Sequence, residues 1–206
     1  MEDGLEVYQR PRDPSRPVVR VDETSKQLIA GTRLPATARP GRVARHDHEC
    51  QRHGTTNLFM MFAPPEGWRQ VKRTGRHAAV DYAQALKDLS DTHVPDARTI
   101  VLVQDNLGTP KPASLHEAFP APEARRLVER FEWRHTPKHG SWLDLAEAEL
   151  GAVSSQCLDR RIPDRRTLAE EVAAWQDSRN NKHTKADWQF TTADARVKLK
   201  RSYPTL

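Results

Sequence analysis

Three acidic residues, far apart along the chain, carry the types and settings that phosphoryl-transfer chemistry needs: Asp22, Asp105 and Glu147. Asp105 ends the apolar run Thr99-Ile100-Val101-Leu102-Val103-Gln104. A short Val- and Ile-rich run without polar alternation is how a strand covered on both faces reads. Asp105 is therefore expected at a strand's carboxyl end, where open α/β sheets build their sites. Pro17-Val18-Val19-Arg20-Val21-Asp22-Glu23 has the same grammar. If the two strands are neighbours, Asp22 and Asp105 stand about 5 Å apart across the ladder. Two bare carboxylates that close repel each other, so the pairing requires a divalent cation. A third acid on a nearby helix, Glu147 in Ser141-Trp142-Leu143-Asp144-Leu145-Ala146-Glu147, completes a candidate two-metal site.

Glu149 competes with Glu147 for that third place. On a helix, Leu143, Ala146, Leu150, Val153 and Cys157 form one apolar stripe. Glu147 is expected to project beside the stripe and Glu149 to fall farther from it, which favours Glu147. A second cluster of competent ligands, His46-Asp47-His48-Glu49-Cys50 with His53, invites a zinc reading, but no paired Cys/His knuckle follows it.

The elements that must position these acids follow from the rest of the chain. Its 206 residues, 36% hydrophobic and 30% charged, suffice for one sizeable globular domain. A net charge of +5 makes a polyanionic partner plausible without requiring one. Two cysteines are too few for a disulfide framework, the first residues lack a signal-peptide pattern, and no window has the apolar length of a membrane helix. The expected compartment is a reducing cytoplasm.

Residues 1–16 read as an extended lead-in with at most a helical turn near Leu5, and 17–206 as the folded domain. Residues 23–51 hold Gly31, Pro35, Pro40 and Gly41 among scattered arginines. They read as a basic loop able to hold phosphates or simply to face solvent. Strands are expected at 55–63 and 68–73, joined by the turn Pro64-Pro65-Glu66-Gly67, the second being a solvent-facing edge. Helices are expected at 78–89, 112–119 and 122–131, with a strand at 131–135 and the Glu147 helix capped by Ser141. A further helix starts at Pro163-Asp164, and an aromatic tail containing Trp188, Phe190, Val197, Leu199 and Tyr203 is expected to dock on the core. Three antiparallel strands followed by two reached through helical crossovers give an α/β fold. It is a ribonuclease H-like mixed five-stranded sheet with helices on both faces and C-terminal helical additions.

Around the three acids the chain resembles the mariner-superfamily transposases, in particular the DDE endonuclease domain of their bacterial insertion-sequence branch. The resemblance rests on Val101-Leu102-Val103-Gln104-Asp105-Asn106-Leu107, on Thr136-Pro137-Lys138-His139-Gly140-Ser141-Trp142-Leu143 followed by Ala146-Glu147, and on the tail from Trp188 to Pro204. It implies Asp22, Asp105 and Glu147 as catalytic residues and metal ligands for two Mg²⁺ or Mn²⁺ ions, cutting DNA and joining strands. It further implies DNA contacts from Asn106, Lys138 and His139, a homodimer in the DNA complex, no small-molecule substrate, and residence in the bacterial cytoplasm at the nucleoid. The family's N-terminal helix-turn-helix modules would precede Met1. Thr24-Ser25 replaces the usual Lys-Pro, Pro110 a usual His and Asp144 a usual Asn. These departures motivate the alternative of an idle remnant that binds DNA nonspecifically or a partner subunit.

Overall fold

A computed structural model of the chain describes residues 2–33, 37–43, 48–76, 78–105, 112–136, 145–186, 188–198 and 200. Its centre is a five-stranded sheet in the order β3-β2-β1-β4-β5. The strands are β1 (Val18–Gly31), β2 (Cys50–Ala63), β3 (Trp68–Thr74), β4 (Ile100–Gln104) and β5 (Phe131–His135). β1, β2 and β3 pair antiparallel, while β4 runs parallel to β1 and β5 parallel to β4. The mixed ribonuclease H-like sheet expected from the element order is thus the one observed.

Alternation along the strands sorts side chains between two cores. On one face Val19, Val21, Phe59, Met61, Ile100 and Leu102 pack under α2 (Ala79–Asp88), α3 (Ala113–Ala118) and α4 (Ala121–Arg130). On the other face Leu58, Met60, Phe62 and Val71 meet α5 (Leu145–Gln156) and α6 (Arg165–Asn181). This explains the unbroken run Leu58-Phe59-Met60-Met61-Phe62: in the half of β2 that helices cover on both faces, from Thr56 to Ala63, every residue is buried. α6 starts where expected, with Asp164 accepting from the Thr167 backbone N–H at 2.8 Å as N-cap.

Three expectations need correction. The lead-in contains α1 (Glu2–Gln9), a helix of eight residues. It forms because Leu5 and Val7 have somewhere to go: Val7 packs on Val101 and Val103, and Leu5 on Ala195 of α7 (Thr192–Lys198). Tyr8 lies over the buried Arg20 guanidinium and stacks 5.0 Å from Trp188, which docks the tail. Of that tail, Trp188 and Phe190 do pack, but Val197 is 78% exposed, and Leu199 and Tyr203 lie outside the described residues.

The second correction is β1. It does not stop at Glu23 but continues through Thr24-Ser25-Lys26-Gln27 to Gly31, paired with β2 from Cys50 onward and bulged between Gln27 and Ile29. Thr24 to Gln27 carry no buried face to betray the strand, although Leu28 just beyond them is buried in the core, and backbone pairing with β2 holds the stretch in place. The third is β3, an edge strand whose Arg69 is completely buried rather than solvent-facing. Arg69 Nε stands 3.0 Å from Glu149 of α5, and its Nη2 donates to the Thr184 carbonyl at 2.5 Å. The turn ahead of it needs Gly67: at φ +66° a Cβ would sit 2.6 Å from the His183 carbonyl.

Candidate active site

The strand register brings the site together. Val21 pairs with Gln104 and Gln104 with His135 in parallel ladders. One step on, Asp22, Asp105 and Thr136 therefore follow at the same level of three adjacent strands. Period-two alternation puts Asp22 on the face of Val18 and Arg20, and Asp105 on the face of Val101 and Val103. That is the face α5 covers, with Leu150 and Val153 packed against Leu58 and Met60 of β2.

The three acids proposed from sequence line one open cleft of about 520 Å³, with Glu23, Thr24, Leu150, Gly151 and Ser154 completing its wall. Asp22 accepts a hydrogen bond from the Glu23 backbone N–H at 2.7 Å. Asp105 accepts one from the Thr136 hydroxyl at 3.2 Å. Among the described residues no three His, Cys, Asp or Glu side chains cluster tightly enough to enclose a single ion. The acids ring the cleft without closing on one point.

Glu149 is not part of this cleft, for a reason opposite to the one expected. Residues two apart on a helix point about 200° from each other, so with Glu147 on the cleft side Glu149 turns inward. It is buried, and Arg69 (3.0 Å) and Arg179 (2.8 Å) both pair with it. Burial lowers the Arg69 guanidinium's proton affinity and the Glu149 charge opposes that. An acid consumed by two arginines is no metal ligand.

Sequence reasoning missed the layer behind Asp105. Thr136 is 1% exposed, and its backbone N–H donates to the Gln104 carbonyl at 2.9 Å, extending the β4–β5 ladder by one step. Gln104 is buried too; Tyr82 donates its hydroxyl to the side-chain oxygen, and the side-chain nitrogen lies 3.0 Å from His135 Nε2. Burial, and after it the charge of Glu23, push the Tyr82 phenol far above its ordinary range, so it stays a donor. The signal available in the sequence was parity: Thr136 follows its strand as Asp105 follows its own.

Asn106, Lys138 and His139, the expected DNA contacts, lie outside the described residues, as do Ser141, His46 and Asp47. What remains of the zinc cluster is dispersed: His48, Glu49 and Cys50 are exposed, and His53 Nδ1 contacts the Pro163 carbonyl at 2.7 Å. No described helix is long and apolar enough to cross a membrane.

A mixed sheet with one acid following the end of β4, a second beside it within the parallel neighbour β1 and a third on the covering helix defines a ribonuclease H-like nuclease architecture. The family model described as DDE superfamily endonuclease matches residues 17–169, and the chain belongs to that family. Its fold is shared with solved Mos1 mariner assemblies. The paired-end complex with Mn is 18% identical with a TM-score of 0.53, covering 89% of this chain and 55% of that one. The paired-end complex with Mg is 17% identical (TM-score 0.54; 89% and 58%), and the Mos1 strand transfer complex is 17% identical (TM-score 0.51; 92% and 61%). The chain thus spans 55 to 61% of the length of these neighbours. No curated protein matches it.

Proposed function

We propose that this chain is the catalytic domain of a transposase that cleaves DNA and transfers strands with the help of two divalent cations. The observation that carries the reading is the meeting of Asp22, Asp105 and Glu147 on one cleft within a DDE endonuclease fold. The donor set fits: three carboxylates are hard oxygen ligands suited to Mg²⁺ or Mn²⁺, which keep several waters and share substrate phosphates. Carboxylates that ring a cleft suit two ions, each shared by a pair of acids, better than one ion held by all three. Such ions, when bound, activate the attacking hydroxyl and stabilise the leaving oxygen of an in-line displacement.

The chain's own residues supply position. The Glu23 backbone orients the Asp22 carboxylate and the Thr136 hydroxyl that of Asp105. The ion pairs of Glu149 fix the rotation of α5, and with it the direction of Glu147. DNA is the substrate and partner of this reading. A homodimer in the DNA complex and residence at the bacterial nucleoid extend it, supported by the resemblance and by the paired-end assemblies named for the Mos1 neighbours. The expected DNA contacts of Asn106, Lys138 and His139 belong to the same proposal.

The idle-remnant alternative draws on the acids not being gathered tightly enough for one ion. Calorimetric titration with Mn²⁺ separates the two. The catalytic reading expects saturable binding that Asp22→Asn and Asp105→Asn abolish; heat independent of both acids would support the remnant.

A further inference from the structure

Two cross-strand bonds join the ends of β4 and β5, one on each face of the sheet. On the face that α5 covers, Thr136 donates to Asp105 at 3.2 Å. On the opposite face the residues immediately before them meet in turn, with Gln104 Nε2 3.0 Å from His135 Nε2. Gln104 follows Ile100 and Leu102 in period-two alternation, and both of those pack in the core beneath α2. Its amide therefore sits in an apolar setting and is buried.

A leucine or methionine would fill that space without a polar group to satisfy, and a buried amide is stable only when bonded. Gln104 is bonded at both ends of its amide. Tyr82 of α2, itself buried, donates its hydroxyl to the side-chain oxygen. The nitrogen is left to donate to His135, whose ring accepts at Nε2 when its own proton is on Nδ1. The Tyr82 ring is held in turn against Phe59 of β2, 6.2 Å between centroids. One side chain thus ties the last residue of β4 to a helix on one face and to the neighbouring strand, one step before Asp105.

We propose that Tyr82 and Gln104 are positioning residues, which keep the end of β4 from fraying and so hold the Asp105 carboxylate level with Asp22. The inference rests on the cleft of Asp22, Asp105 and Glu147 being catalytic. Neither Tyr82 nor Gln104 lines that cleft, so both act through the backbone they fix.

The test compares Tyr82→Phe with the double variant Y82F/Q104M. The single change leaves the Gln104 oxygen buried without its donor and should lower the melting temperature. The double variant removes both partners, leaves the exposed His135 to bond water, and should melt near the wild type. Recovered stability is expected to bring no recovery of the site. Calorimetric Mn²⁺ binding stays about tenfold weaker, and plasmid nicking loses about tenfold in kcat at an unchanged KM for DNA. In the metal-free chain the Thr136 amide, bonded to the Gln104 carbonyl, exchanges with solvent deuterium about tenfold faster. Wild-type exchange and Mn²⁺ affinity in the double variant overturn the proposal. Should that variant fail to fold, His135→Ala breaks the same bond from its exposed end, and unchanged Thr136 exchange there overturns the proposal equally. Exchange does not depend on catalysis, so the two failures are distinct: a wild-type chain that nicks no plasmid removes the functional reading beneath the inference, whereas unchanged exchange removes the inference alone.

Discussion

The buried Thr136 hydroxyl donates to Asp105 Oδ1 at 3.2 Å, tying the carboxylate that ends β4 to the residue that follows β5. Because the Thr136 backbone also bonds Gln104 at 2.9 Å, the hydroxyl has little freedom to leave Asp105. Partners behind a metal-binding carboxylate typically change metal affinity 10- to 100-fold. Thr136→Val, which keeps the shape and loses the donor, is expected to weaken Mn²⁺ binding by about tenfold, whereas Thr136→Ser retains it. Calorimetric titration of both variants checks this; equal weakening in the two would assign Thr136 a packing role only.

Glu147 and Glu149 have opposite jobs, so their substitutions should separate cleanly. Glu149→Ala leaves the Arg69 guanidinium buried without its carboxylate, a loss of about 3–5 kcal/mol for a broken interior pair. Glu147 lies on the cleft wall and is exposed, so Glu147→Gln is expected to leave stability within about 0.5 kcal/mol while abolishing metal-dependent cleavage. Urea melts of the two variants distinguish them, and the reverse pattern would exchange their assignments.

Acid should release the N-terminal segment from β5. Burial pushes the Glu132 carboxyl up, but hydrogen bonds from Arg16, Arg134 and Arg10 outweigh that and hold it at about 2, against 4.5 for a free glutamate. A depressed carboxylate stabilises the fold above its unfolded value, and the contribution is lost as pH falls through the folded one. The wild type should therefore lose stability between pH 4.5 and about 2. Glu132→Gln should forfeit about 1–2 kcal/mol near neutral pH after allowance for solvent screening, and show a flatter acid limb. Denaturant midpoints across that range provide the measurement.

Much of the site was legible because its signals are local. A doubly covered strand reads as an apolar run, and Asp22 and Asp105 end two such runs; parallel pairing of β1 with β4 then aligns them. The outer half of β1 was not legible, since Thr24 to Gln27 bury too little to impose a pattern and take their conformation from β2. Nor was α1, a helix of charged and polar residues in which Leu5 and Val7 matter only because Ala195 and Val101 are waiting for them. Arg69 misled for the same reason: alternation identifies a face, but only the approach of α5 and α6 decides whether that face is wet. Glu149 likewise looked remote from the apolar stripe, yet an arginine brought from β3 made its burial possible.

The central claim is that the cleft of Asp22, Asp105 and Glu147 performs metal-dependent DNA cleavage, and nicking of a supercoiled plasmid tests it most directly. With Mn²⁺, wild-type chain should convert supercoiled to open-circular DNA, chelation should stop it, and Asp105→Asn should leave the plasmid intact while melting at the wild-type temperature. Nicking by Asp105→Asn at the wild-type rate would contradict the account.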